Sequence, residues 1–367
     1  MKTIVVSAVN LRKGGTLKIL RQTLDHLSRV LAGGIPLSGR FGGVGAGELR
    51  VVALVHDRSL CDYPGIEYIE MPECVRSWGR RLWAEYVTMN RISRELAERD
   101  GGPVWLWLSL HDTSPRVKAL HREVYCHTSF PFMKIKARDW LMDPKIPLFC
   151  LFTKWAYRIN VRGNDCLIVQ QEWFADALSR LTGVERGRFR VIPPVAAVPP
   201  AVDEGAHAVS AALRSAGVPI FFYAATPDCH KNFETLCEAS AMLERKGLEF
   251  RTVITINGEE NRYSRWLKKR WGDVGSIDFH GFMGRDELYG HYLAAACFVC
   301  PSRVETWCLP ISEFMEVQPH GRMLLADLLY ARETSHGEAT FFRYDSPVRL
   351  AAEMEKVISS YENPSDR

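Results

Sequence analysis

Residues 301–313 read Pro301-Ser302-Arg303-Val304-Glu305-Thr306-Trp307-Cys308-Leu309-Pro310-Ile311-Ser312-Glu313 and follow the apolar run Cys297-Phe298-Val299-Cys300. The run predicts a strand buried on both faces, Pro301-Ser302 a loop, and residues 309–317 a helix. Strand, loop and helix in that order are the unit of a parallel α/β sheet, with the loop beyond the carboxyl end of the strand. Two glutamates stand eight positions apart, about two helical turns, so both carboxylates can face one pocket if the loop is tight. A helix N-terminus offers unpaired N–H groups to an anion, and carboxylates accept hydrogen bonds from vicinal hydroxyls. On spacing alone, two solvated glutamates are the simpler reading.

The same unit recurs in both directions. Ile4–Val9 predicts a first strand, and Leu17, Leu20, Leu24, Leu27 and Leu31 then fall on one helical stripe. Residues 33–47 hold seven glycines and read as a loop before the strand 49–55. Gly43-Val44-Gly45-Ala46-Gly47 follows no strand, so it is not a dinucleotide fingerprint. Val104–Leu110, Glu123–Cys126 and Cys166–Val169 predict further strands, ending at His111, His127 and Gln170. Residues 193–200, Pro-Pro-Val-Ala-Ala-Val-Pro-Pro, cannot be helix or central strand and mark a boundary. Beyond it, strands at 220–224, 251–256 and 297–300 alternate with helices at 233–245, 286–296 and 309–317, and a last helix covers 348–361. The expectation is an α/β chain of two doubly wound parallel sheets facing across a cleft: 1–197, 198–345, and a terminal helix 346–367 that returns to the first domain.

Composition agrees. The 367 residues, 47% hydrophobic and 25% charged, suit two folded domains. The net charge of +4 is too small for a nucleic-acid binder, but residues 1–197 carry 29 basic against 19 acidic side chains, and 198–367 carry 18 against 24. The basic half is then the one nearer an anionic surface or substrate. No run reaches the ~20 apolar residues of a spanning helix, and the start reads as a strand, not a signal peptide. The ten cysteines are too scattered for a disulfide scaffold. The one close pair, Cys297 and Cys300, reads as core packing. A reduced, cytoplasmic protein is expected.

Taken with its flanks, the opening stretch resembles the GT-B glycosyltransferases, specifically the retaining GT4 group with its bacterial mannosyl- and rhamnosyltransferases. That group's pattern, roughly PSxxETFGLPxxEAM, is met by Pro301-Ser302, Glu305-Thr306-Trp307, Leu309-Pro310 and Glu313-Phe314-Met315. Ala326–Glu333 looks like its SDLPYARE segment, Tyr223–Phe233 like its donor loop with the sequence His230-Lys231-Asn232, and Phe279-His280-Gly281-Phe282 like its FxG turn. In the first domain the likeness is thinner: Gly14-Gly15, and Tyr125–Phe132 at a strand end.

The resemblance implies a hexosyltransferase that uses a nucleotide-diphosphate sugar, retains anomeric configuration, and needs no metal or other cofactor. It implies that Glu313 binds the ribose hydroxyls, Glu305 the transferred sugar, and the amides near Cys308-Leu309 the diphosphate. Lys231 would neutralise the leaving diphosphate, electrostatic stabilisation of developing charge. Thr226, Asn232, Phe282, Thr306 and Trp307 complete the donor-binding set, and Gly14 and Gly15 let backbone approach the diphosphate. His127 would lie by the transferred sugar, with His111 a second candidate on the acceptor side. Two departures stand out. The Arg that many members carry before the donor Lys is replaced by Ala225-Thr226, and Cys308 stands where the group has Gly.

Residues 130–162 hold seven basic and two acidic residues among seven aromatics, and Arg76–Trp83 has the same flavour. This composition suits an anionic inner-leaflet surface and a lipid-linked glycan acceptor, and equally a solvated face over core aromatics. Nothing else supports nucleic acid. The reading is transfer to a surface or lipid-linked polysaccharide such as O-antigen. Its rivals are a catalytically weak scaffold that binds a nucleotide sugar or a partner transferase, favoured by Cys308 and the missing Arg, and a sugar-nucleotide epimerase. Donors carried on GDP, UDP or dTDP are all open.

Overall fold

The computed structural model describes residues 1–37, 42, 44–194 and 202–362. Most of the expected proline-rich boundary and part of the glycine-rich loop lie outside these residues. The chain divides into two compact units, Met1–Thr128 with Thr153–Ile192, and Ser129–Phe152 with Pro193–Arg367.

The first unit is a seven-stranded, all-parallel sheet: β1 (Lys2–Ala8), β2 (Leu49–Val55), β3 (Ile66–Glu70), β4 (Val104–Ser109), β5 (Ala119–Tyr125), β6 (Cys166–Val169) and β7 (Phe189–Val191), in the order β3-β2-β1-β4-β5-β6-β7. The apolar run of β1 serves both faces. Ile4, Val6 and Ala8 pack with Leu20, Leu24 and Leu27 of the helix Gly14–Leu31, while Val5 joins Val52, Leu54, Met89 and Leu96 on the other side. Truncating a fully buried leucine such as Leu24 would cost about 2–5 kcal/mol.

The second unit has six parallel strands: β8 (Ile220–Tyr223), β9 (Arg251–Ile254), β10 (Ile277–Phe279), β11 (Cys297–Cys300), β12 (Met323–Ala326) and β13 (Thr340–Phe342), in the order β10-β9-β8-β11-β12-β13. Cys297 and Cys300 lie within fully buried β11. The helices Glu204–Arg214 and Arg285–Ala294 pack on each other at Gly290, where a Cβ would stand 2.6 Å from Val209 and 3.0 Å from the Ala206 carbonyl. In each sheet the strand order reverses once, between β1 and β4 and between β8 and β11. The loops that leave these strands are where open α/β sheets bind ligands.

Two segments lie elsewhere than the sequence division suggested. Residues 129–152 belong to the second unit, where Asp139 holds Arg303 through two hydrogen bonds of 2.5 and 3.0 Å. The terminal helix, Pro347–Glu362, packs on the helix Phe233–Arg245 and on β12 and β13 of the same unit. Its buried Leu350, Met354 and Ile358 recur at helical spacing, so its apolar stripe is already covered there.

Candidate active site

In the second unit, two loops meet at the switch point. After β8 the chain runs through Thr226, whose hydroxyl donates to Asp228 at 2.6 Å, into a short turn at Cys229–Lys231. Asn232 then takes the left-handed conformation (φ 59°) and caps the helix Phe233–Arg245. Its amide donates to the carbonyls of Pro301 and Tyr344, which ties this loop to the one after β11. Tyr223 adds a second tie, donating to the Lys231 carbonyl at 2.9 Å and meeting the Ser302 hydroxyl at 2.8 Å.

These ties deliver Lys231 to Glu305. The ammonium Nζ stands 2.6 Å from Oε1, with the side chains 16% and 13% exposed. Burial pushes the Lys231 ammonium down, but the Glu305 carboxylate outweighs it and raises the group above its ordinary value, so it stays charged. Beside the pair is a cavity of about 410 Å³, to which Thr226, Lys231, Phe282 and Glu313 all contribute. Glu313, on the helix Leu309–Val317, accepts from the Tyr292 hydroxyl at 3.2 Å. Phe282 stands 94% exposed.

The remaining residues of the expected donor set shape the loop from behind. Trp307 donates from its indole to Ser312 at 2.8 Å, and its carbonyl accepts from Thr334. Thr306 and Leu309 are half-buried neighbours of that turn. Cys308 is buried at φ 67°, ψ 72°, immediately before the helix, with its sulfur 3.6 Å from that of Cys300. A left-handed residue at this position explains why glycine suits it and what the cysteine costs.

In the first unit, the loop after β4 carries His111 and Asp112. Asp112 is left-handed (φ 69°), and its carboxylate accepts from the amides of His127 (2.7 Å) and Thr128 (3.0 Å) and from the hydroxyls of Thr128 and Tyr157 (2.7 Å each). It also stands 3.3 Å from His127 Nε2. Burial pushes the Asp112 carboxyl up, but His127 and these donors prevail and hold it below its ordinary value. Burial lowers His127 against the pull of Asp112, so its ring is neutral near pH 7. Gly14 is left-handed (φ 62°), as a turn into the first helix requires. Gly15 follows it, exposed in the first turn.

His111 is not on an open surface, as an acceptor-side residue would be. It is fully buried, with Nε2 2.6 Å from Ser7, Nδ1 2.9 Å from Thr113, and the Glu85 carboxylate at 3.2 Å. Arg81, expected on a basic surface, is buried too: it pairs with Glu85 at 2.7 Å and donates to the His111 carbonyl at 2.6 Å. Burial raises Glu85, but His111 and Arg81 overcome it and hold the carboxyl at about 2. Glu85 lies in a π-helical turn, Ala84–Thr88, a local insertion that is frequent at functional sites. Sequence reading missed Asp112, Glu85 and Tyr292. Only Asp112 gave a signal, as a turn residue directly after a strand.

Residues 210–318, which span both loops of the second unit, match the family model described as glycosyl transferases group 1. In fold the chain is similar over nearly its whole length to several solved structures. Sucrose-phosphate synthase from Thermosynechococcus elongatus shares 15% identity at a TM-score of 0.63, with 99% of this chain and 91% of that chain covered. Anabaena Alr3699/HepE, solved in complex with UDP and glucose, shares 11% at 0.63, with 100% and 91% covered. WaaG, a glycosyltransferase involved in lipopolysaccharide biosynthesis, shares 13% at 0.63, with 97% and 90% covered. The architecture is therefore that of the GT-B glycosyltransferases: two Rossmann-like parallel-sheet domains, the second carrying a group 1 segment. No curated protein matches the chain in sequence.

Proposed function

We propose that this chain is a retaining, metal-independent glycosyltransferase of the GT4 kind, moving a hexose or deoxyhexose from a nucleotide-diphosphate sugar to a glycan acceptor. The observation that carries the reading is the charged Lys231–Glu305 pair beside the Glu313 cavity, within the segment that matches the group 1 family. The nucleotide complexes of the structural neighbour HepE support a nucleotide sugar as donor. In this reading Glu313 accepts the ribose hydroxyls. Lys231 keeps one N–H on Glu305 and turns the others to the diphosphate, whose negative charge grows as the glycosidic bond breaks. Neutral His127, oriented by Asp112, hydrogen-bonds the transferred sugar. The protein supplies orientation and charge, and a donor phosphate oxygen takes the acceptor proton.

The acceptor is proposed to be lipid-linked, as in O-antigen assembly, with the chain peripheral on an anionic inner leaflet. Among the described residues no helix is long and apolar enough to cross a membrane. The helix Lys145–Ala156 nevertheless exposes Leu148, Leu151 and Trp155 on one side, each more than half accessible, with Trp140 and Leu141 nearby in sequence. An apolar stripe flanked by lysines suits shallow insertion among headgroups. Flotation with anionic vesicles tests this; a chain that stays unbound at low salt removes it.

The deciding experiment is thermal stabilisation by GDP, UDP and dTDP sugars, in wild type and in Glu313→Ala. One nucleotide class is expected to raise Tm, and the variant to lose about ten- to a hundredfold in affinity, as a lost charge-assisted hydrogen bond does. Turnover of that donor that survives EDTA and gives a product of retained configuration completes the reading. Inverted product, or loss with EDTA, refutes the mechanism. Donor binding without turnover would favour the weak scaffold, the rival that the left-handed Cys308 supports.

A further inference from the structure

Two thiols close the loop that carries Glu305. Cys300 is the last residue of β11, which lies between β8 and β12 inside the sheet, and it is fully buried. Cys308 stands directly before the helix Leu309–Val317 and is 8% exposed. Residues 301–307 run between them. Both cysteines are free, and their sulfurs are 3.6 Å apart. Packing alone does not account for Cys308. It holds φ 67°, ψ 72°, a region that glycine enters freely, so its side chain is present at the expense of backbone strain. In return it makes a hydrogen bond between sulfurs, a weak interaction. A covalent bond is the stronger contact open to the same two atoms.

The geometry says which parts that bond would move. An S–S bond is about 2.05 Å long, so the sulfurs must approach by about 1.5 Å from their present contact. Cys300 supplies little of this, because its strand is paired along both edges and Cys300 itself lies opposite Leu325 of β12. The displacement falls on Cys308 and its neighbours in the loop. Among these are Glu305, whose carboxylate holds Lys231 at 2.6 Å, and Trp307, whose indole donates to Ser312 at 2.8 Å. The electrostatics favour reaction. Burial pushes the Cys300 thiol up, but the S–H of Cys308 overcomes it and brings the group below its ordinary value. The pair thus gives up its first proton more readily than an isolated buried thiol does. Lys231, close enough to Cys308 to act on its thiol, also lines the cavity of about 410 Å³ from which a small oxidant can arrive.

We propose that Cys300 and Cys308 are a modification site, which hydrogen peroxide closes to a disulfide, and that this bond displaces the loop carrying Glu305. The thiolate of the pair attacks one peroxide oxygen; the O–O bond breaks, hydroxide leaves and a sulfenic acid remains. The other sulfur displaces the hydroxyl group as the S–S bond forms. Two thiols lose two electrons, and the peroxide is reduced to two waters. A dithiol reductant reverses the change. Resting on the donor-site reading, one consequence follows: the reduced chain binds the nucleotide sugar, and the oxidised chain holds neither Glu305 nor the amides beside Cys308 in place for it.

The test oxidises the reduced full chain with hydrogen peroxide, blocks the remaining thiols with iodoacetamide and maps tryptic peptides by mass spectrometry. Trypsin cuts after Arg303, so Cys300 and Cys308 fall on separate peptides that only the disulfide joins. The linked peptides should be the main product and should separate with dithiothreitol. They should persist in Cys297→Ala, whose site shares the peptide of Cys300, and be absent from Cys300→Ala. In the oxidised chain the indole 1H–15N resonance that Trp307→Phe removes should shift, and return on reduction; in Cys300→Ala it should ignore peroxide. Neither readout involves a nucleotide sugar, so both decide the disulfide even where the donor reading fails. A nucleotide sugar that stabilises the reduced chain should bind the oxidised one at least about tenfold more weakly, as a lost polar contact does. The proposal is overturned by oxidation of Cys308 to sulfinic acid with no linked peptide, by linked peptides that survive Cys300→Ala, by a Trp307 resonance that stays in place in the oxidised chain, or by equal donor affinity in the two states.

Discussion

The strand ends of the two sheets are built on opposite electrostatic plans. In the first unit, Arg81, Glu85 and His111 are sealed from solvent, and Arg81 spends a hydrogen bond on the His111 backbone carbonyl. Charges so placed cannot be offered to a ligand. They fix the loop that carries Asp112, and Asp112 in turn fixes His127. In the second unit, the Lys231–Glu305 pair keeps a measurable share of its surface open beside a cavity. Its ammonium has N–H groups to spare. The contrast separates two uses of one chemistry: a sealed pair that holds backbone in place, and a pair with an open edge on a cavity that can exchange partners.

Breaking the buried pair should have the largest effect on the fold. Arg81→Met leaves the Glu85 carboxylate buried without its guanidinium, which costs about 3–5 kcal/mol of stability, while Arg81→Met with Glu85→Leu should recover most of that loss. Urea unfolding monitored by circular dichroism checks both; a single variant as stable as the wild type would show the pair to be idle. The pH dependence has a definite sign. Glu85 is depressed in the folded state to about 2, so its contribution is present above its ordinary carboxylate value and is lost as pH falls through about 2. The double variant should therefore resist acid better than wild type between about pH 4 and pH 2.

Breaking the partly open pair should act first on the reaction. Lys231→Ala is expected to lower kcat/KM for the donor by about 10²–10³, with a smaller loss of stability than Arg81→Met, since the Glu305 carboxylate it leaves behind is 13% exposed beside a cavity and can recruit water, which the sealed Glu85 cannot. Steady-state kinetics beside the same urea titration measure the split. Equal losses in both would erase the distinction between the two sites.

The second plan was the more legible of the two in sequence, and the reason is local. Glu305, Cys308 and Glu313 sit within nine consecutive positions of one strand–loop–helix unit, so their spacing and flanks are read together. The helices 233–245 and 309–317 and the strand 297–300 have the bounds that their apolar periods predict. The first plan is assembled from Ser7, Arg81, Glu85 and His111, brought together only by the fold: the β1–β4 pairing sets Ser7 beside His111, and the helical segments Trp78–Trp83 and Ala84–Thr88 deliver Arg81 and Glu85. Arg81 beside Trp78 and Trp83 has the composition of a surface patch, and only the fold turns it inward. Short strands such as β7, β10 and β13, three residues each, carry too little pattern to register. Asn232 belongs to the donor loop by sequence, yet its side chain is fully buried and braces the Pro301 and Tyr344 carbonyls.

The smallest expected effect lies at Cys308, where the two plans touch the backbone itself. An L-residue in the left-handed region costs about 1–2 kcal/mol, and Cys308 at φ 67° bears that cost. Cys308→Gly removes it, but glycine gives back roughly 0.5–1 kcal/mol in chain entropy, and the contact with the Cys300 sulfur is lost as well. The terms nearly cancel, so the variant should stay within about 1 kcal/mol of wild type. Cys308→Val has no such compensation: a β-branched side chain is a poor left-handed residue, and its extra methyl must fit a buried site, together at least about 2 kcal/mol destabilising. Thermal melts of the two variants measured side by side give the comparison. A valine tolerated as well as glycine would mean that the loop does not use the left-handed turn, and the placement of the amides before the Glu313 helix would fall with it.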